Sequence, residues 1–160
     1  MRLVRAGSIL ALIAVPAMAF AQDQQQLYGA CFAATYDAAH LARHPTQRIG
    51  AVAVSFQGFD GSLLASVSYK LRYGTRFGFS GDCTPEPGGG FLCRACGSDQ
   101  CASSGQTFRI RWAGGDTLEL VNDTTGLFAQ NTAGGRDRLA SGGPHVLFSL
   151  TRAENDACAP

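Results

Sequence analysis

The residues of this chain best suited to chemistry are its cysteines and histidines. Four of the six cysteines fall in CTPEPGGGFLCRACGSDQC, residues 83–101. Cys93-Arg94-Ala95-Cys96 has the C-x-x-C spacing, and with Cys83 and Cys101 it offers zinc a tetrahedral set of thiolates. A zinc ribbon repeats the C-x-x-C pair, however, and this stretch does not. A thioredoxin-like redox centre needs C-x-x-C at the start of a helix, where the dipole lowers the thiol pKa. Here Gly97-Ser98-Asp99 follow Cys96, and such residues make turns. The even cysteine count favours disulfides. Proximity pairs Cys83 with Cys93 and Cys96 with Cys101, and leaves Cys31 to tie the start of the chain to Cys158 near its end. On this reading residues 83–101 are a stapled, glycine-rich loop with little core beneath it.

His40 and His44 stand four apart, the spacing that puts two side chains on one helix face, with Asp37 three residues before His40. A metal site built from Asp37, His40, His44 and His145 is the one arrangement here that suggests an enzyme. It lacks H-E-x-x-H, because Leu-Ala-Arg separates the two histidines. The simpler reading packs His40 under the fold and places His44 at a helix C-terminus before Pro45.

Other catalytic signatures are absent. Gly78-Phe79-Ser80-Gly81 falls one residue short of the G-x-S-x-G elbow, and Gly88-Gly89-Gly90 runs into Phe91 rather than the Gly-Lys-Ser/Thr of a phosphate loop. Asn122-Asp123-Thr124 fits a glycosylation acceptor but reads more simply as a turn, and Asp60, Asp82 and Asp116 beside glycines read as turn residues too. Glu86, Glu119 and Glu154 are thin material for an acid and base pair. The expectation is therefore a protein that is not an enzyme and needs no cofactor.

The elements that must position these residues are mostly strands. From Ala65 to Tyr73, apolar residues alternate strictly with Ser66, Ser68, Lys70 and Arg72, the period of a strand with one buried face. Thr107 to Trp112 and Thr117 to Val121 flank Gly114-Gly115-Asp116 and read as a hairpin. Further strands are expected at Cys31–Tyr36, Ala51–Phe56, Arg76–Phe79, 126–130 and 146–151, and a helix of about two turns after Asp37, stopped by Pro45. The fold class this predicts is mainly β, a small antiparallel barrel or sandwich with one short N-terminal helix, stapled by disulfides.

MRLVRAGSILALIAVPAMAFAQ carries two arginines, then an apolar stretch, then Ala-Phe-Ala, the order of a secretory signal peptide. The expected organisation is a signal over 1–21 and a single secreted or periplasmic β-domain over 22–160. Arg2 and Arg5 leave with the signal, so 11 of 13 basic residues face all 12 acidic ones, a balance of −1. Near neutrality argues against nucleic acid or an anionic membrane as partner, and no membrane insertion is expected once the signal is cleaved. Lys70 is the only lysine, and the arginines are scattered along the sequence.

The segment CFAATYDAAHLARHPTQRIGAVAVSF, with Cys31, His40-Leu41 and His44-Pro45 followed by Gln47, resembles a group of small, uncharacterised secreted bacterial proteins. The resemblance extends to Cys93 and Cys158 and implies a similar arrangement of a cysteine, a short helix and a first strand. It implies no activity. The expected role is that of a non-enzymatic module binding a protein or small ligand through end loops, with 83–101 and 134–144 the favoured ones. A metal-assisted enzyme and an envelope structural protein are the alternatives.

Overall fold

A computed structural model describes residues 24–59, 61–96, 106–122, 127–139 and 147–159. The expected signal segment, Cys101 and His145 lie outside the described residues.

After a helical turn at 24–27, the elements are β1 (Cys31–Thr35), α1 (Ala38–Arg43), β2 (Ile49–Phe59), β3 (Ser62–Leu71), β4 (Arg76–Pro85), β5 (Phe91–Cys96), β6 (Thr107–Gly114), β7 (Thr117–Val121), β8 (Leu127–Gln130), β9 (Arg136–Leu139) and β10 (Leu147–Ala153), then a 3₁₀ turn at Asn155–Cys158. All pairings are antiparallel. Strands β1 to β7 form a meander, β10 pairs with both β7 and β1, and β3 pairs with β4, so the sheet closes on itself as an eight-stranded barrel. The β8–β9 hairpin branches off, joined to β4 through Gly78 and Gln130. Closure rules out the sandwich and leaves no free edge in the wall.

Eight strands make a tube just wide enough for side chains to fill. Phe32, Phe56, Leu63, Val67, Tyr69 and Phe108 are among those filling it, each at most 3% exposed. Each large apolar side chain buried this way contributes about 1.5–3 kcal/mol. The rings meet edge to face, Phe32 with Phe56 at 6.1 Å and Phe79 with Phe108 at 5.3 Å. Space for Phe108 comes from Gly81 on β4, where a Cβ would stand 2.5 Å from the Phe108 ring.

Two of the expected disulfides are formed. Cys31–Cys158 joins β1 to the final 3₁₀ turn with Cα atoms 5.9 Å apart, and Cys83–Cys93 joins β4 to β5 with Cα atoms 4.0 Å apart. Cys96 is disulfide-bonded as well. These bonds consume the thiols that a zinc knuckle would need.

The surroundings of the second bond correct the expectation of an irregular loop. Cys83 and Cys93 sit directly opposite each other in a regular ladder and belong to the core, as do Phe91 and Ala95. Asp82, taken for a turn residue, is in β4 opposite Arg94. Tyr73, expected at the end of a buried face, is 94% exposed, because the chain turns at Leu71, where its N–H donates to the Thr75 carbonyl. Asn122 is buried, with Nδ2 donating to the Leu139 carbonyl at 3.3 Å, so its side chain is structural.

Candidate functional site

The meander sends alternate connections to opposite ends of the barrel. One end carries the β2–β3, β4–β5 and β6–β7 turns, and the other carries α1, the β3–β4 turn and the β8–β9 hairpin.

At the first end, the β4–β5 turn and β6 enclose an open cleft of about 590 Å³, lined by Glu86, Pro87, Gly88–Gly90, Arg109, Arg111 and Trp112. The loop is closed by its own backbone, Glu86 N–H donating to the Gly90 carbonyl and Gly89 N–H to the Glu86 carbonyl. Gly90 has φ +86°, and a Cβ there would collide with the Ile110 carbonyl oxygen. Only glycine allows both the turn and this close approach to β6. Arg109 Nε donates to both carboxylate oxygens of Glu86, at 3.1 and 3.0 Å, and fastens the loop from the other side.

Of the remaining lining side chains, Pro87, Arg111 and Trp112, the last two differ in exposure. Arg111 is exposed, and no ion pair holds it among the described residues; Glu119 is its neighbour across the ladder. Trp112 packs edge-on against Phe32 at 5.9 Å. Its Nε1–H is buried with no hydrogen-bond partner among the described residues. The cleft thus combines an indole, a guanidinium with no ion pair among the described residues, and side-chain-free backbone. That suits a planar anion, since guanidinium forks match carboxylates and aromatic faces match flat ligands. The cleft's one carboxylate is bound by Arg109.

At the second end lie the histidines. Asp37 caps α1, its Oδ1 accepting from His40 N–H at 2.6 Å. The Tyr36, His40 and His44 rings stack in series, with centroids 4.8 and 4.5 Å apart. Buried Gln47 donates through Nε2 to the Ile49 carbonyl at 3.0 Å, so its Oε1 accepts from His40 Nε2–H at 3.1 Å. That contact leaves Nδ1 as the unprotonated nitrogen of neutral His40. Three of the four residues of the supposed metal site are thus near one another, with Asp37 committed to the helix and His40 to Gln47. Among the described residues no cluster of three or more His, Cys, Asp or Glu is arranged to hold a metal.

The same end contains a network that no local sequence pattern signals. The Tyr69 hydroxyl donates to Asp137 Oδ2 at 3.1 Å, and Arg48 pairs with Asp137 Oδ1 at 2.9 Å. Burial pushes the Tyr69 phenol far above its ordinary pKa, the adjacent Asp137 carboxylate adds to the rise, and Arg48 opposes it. Burial likewise raises that of Tyr36. Asp137 thereby pins β9 beneath the barrel.

Fold and site together define a closed, disulfide-bonded antiparallel barrel with an open cleft at one end. No family model, curated protein or solved structure matches the chain. No helix among the described residues is long and apolar enough to cross a membrane.

Proposed function

We propose that this chain is a secreted, non-enzymatic binding module that holds a small planar carboxylate in the cleft between the glycine loop and β6. The observation that carries this reading is the exposed Arg111 beside Trp112, in a cleft kept open by a loop that has no side chains at Gly88–Gly90. A volume of about 590 Å³ lies within the range of small-molecule sites. Export is supported by the signal-like leader and by disulfides, which persist in oxidising compartments.

Trp112 is the chain's only tryptophan, so its emission reports on the cleft alone. Titration with benzoate should shift that emission saturably, whereas benzamide, the neutral analogue, should shift it little. Arg111→Gln should weaken benzoate binding about ten-fold, the weight of a charge-assisted contact in a partly open site. Equal responses to the two compounds, or none, would remove the carboxylate reading.

A further inference from the structure

The fold gathers charge that the sequence scatters. On the barrel wall, Lys70 of β3 stands directly opposite Arg76 of β4. Arg72, in the turn between them, is tied down by its backbone, its N–H donating to the Arg48 carbonyl, while its guanidinium donates to the carbonyls of Pro45 and Leu41. That contact brings the end of α1, with Arg43 and His44, against the same turn. Arg76 donates to the Ala159 carbonyl. Backbone carbonyls satisfy these guanidinium donors without neutralising their charge. Of the five cations Arg43, Arg48, Lys70, Arg72 and Arg76, only Arg48 has a carboxylate partner among the described residues, namely Asp137.

Two features make this more than a solvated rim. Like charges directly opposite each other in a ladder cost stability, so the Lys70–Arg76 pair is unfavourable in the isolated protein and relieved by an anion. At the tip of the same turn Tyr73 is 94% exposed, an aromatic ring with no role in the core. Tyrosine beside lysine and arginine is the composition that rests in a lipid headgroup layer, where the ring takes the interface and the cations take the phosphates. Lys70 and Arg76 also edge a groove lined by the small side chains of Ala33, Ala51, Ala53 and Ser68.

We infer that the β3–β4 turn docks this protein on an anionic lipid surface, with Tyr73 at the interface and Lys70, Arg72 and Arg76 on the headgroups. The near-neutral total that argued against such a partner is a sum over the whole chain and does not register this local cluster. The contact is peripheral, and it lies at the opposite end of the barrel from the carboxylate cleft, so either can fail without the other.

The test is co-sedimentation of the exported protein with phosphatidylcholine vesicles that contain or lack phosphatidylglycerol. Binding should require phosphatidylglycerol and weaken as salt is raised. Arg72→Gln should reduce it about five-fold, the effect of one cation near such a surface, and Tyr73→Ala by about as much. Arg111→Gln, at the far end, should leave it unchanged. No binding to phosphatidylglycerol vesicles would overturn the inference, and so would binding that Arg72→Gln and Tyr73→Ala both leave intact. Arg72 also supports α1, so Lys70→Gln, which removes a charge that makes no side-chain hydrogen bond or ion pair among the described residues, checks the charge effect without that risk.

Discussion

Strand β4 ends in two turns that do opposite things. Toward β5 it leads into a loop stripped of side chains, fastened by Arg109 and Glu86 and backed by a disulfide two residues before the strand ends. Toward β3 it leads into a turn that presents large side chains, with Tyr73 almost wholly in solvent between Arg72 and Gly74. The first makes a concavity, which must be held rigid to keep its shape. The second makes a projection, which needs only a narrow turn beneath it. The comparison teaches that a barrel can differentiate its ends through turn composition alone, on one continuous strand.

The largest expected effect tests the rigid side. Replacing Cys83 and Cys93 together by alanine should lower unfolding stability by about 3 kcal/mol in urea denaturation, the loop-closure value for residues ten apart. A loss below about 1 kcal/mol would mean that the β4–β5 ladder holds the cleft unaided. An intermediate effect separates the two turns. Gly90→Ala meets both a positive φ and the Ile110 carbonyl, and should cost about 2 kcal/mol together with benzoate binding; Gly74→Ala meets a positive φ and open space, and should cost about 1 kcal/mol. Equal costs would erase the distinction between a packed and a free turn. The smallest effect has the opposite sign. Lys70→Glu turns the repulsion across from Arg76 into attraction and should raise stability by about 0.5 kcal/mol, less as salt is added, measured by the same denaturation.

Much of the wall was legible because its periodicity is local. The β6–β7 hairpin follows from Phe108, Ile110, Leu118 and Leu120 around a Gly-Gly-Asp turn, and it lies where that pattern puts it. The β3 alternation was equally clear but ran through the turn to Tyr73, since period two does not register where a chain reverses. Strand β5 was missed because its inward residues are Phe91, Cys93 and Ala95: the cysteine invited a chemical reading and alanine carries little hydrophobic signal. Strand β9, with two arginines and an aspartate in four residues, looks like surface. The Cys83–Cys93 pairing was accessible from proximity, and Cys31–Cys158 from what proximity left over. The cleft was not, because Glu86 and Gly90 meet Arg109 and Trp112 only through the β5–β6 ladder. The basic cluster was hidden in the same way, its members spread from Arg43 to Arg76 and brought together by α1 folding back on the β3–β4 turn.

The bond between Cys31 and Cys158 spans 127 residues and coincides with the seam where β1 meets β10. The polypeptide from first strand to last is therefore a covalent ring. A protease that cuts one exposed turn, whether at Gly88–Gly90 or at Tyr73, opens the ring without dividing it. The clipped molecule would keep its mass, plus one water, until reductant is added. For a protein sent outside the cell, damage at the parts it offers to partners need not become loss of the molecule.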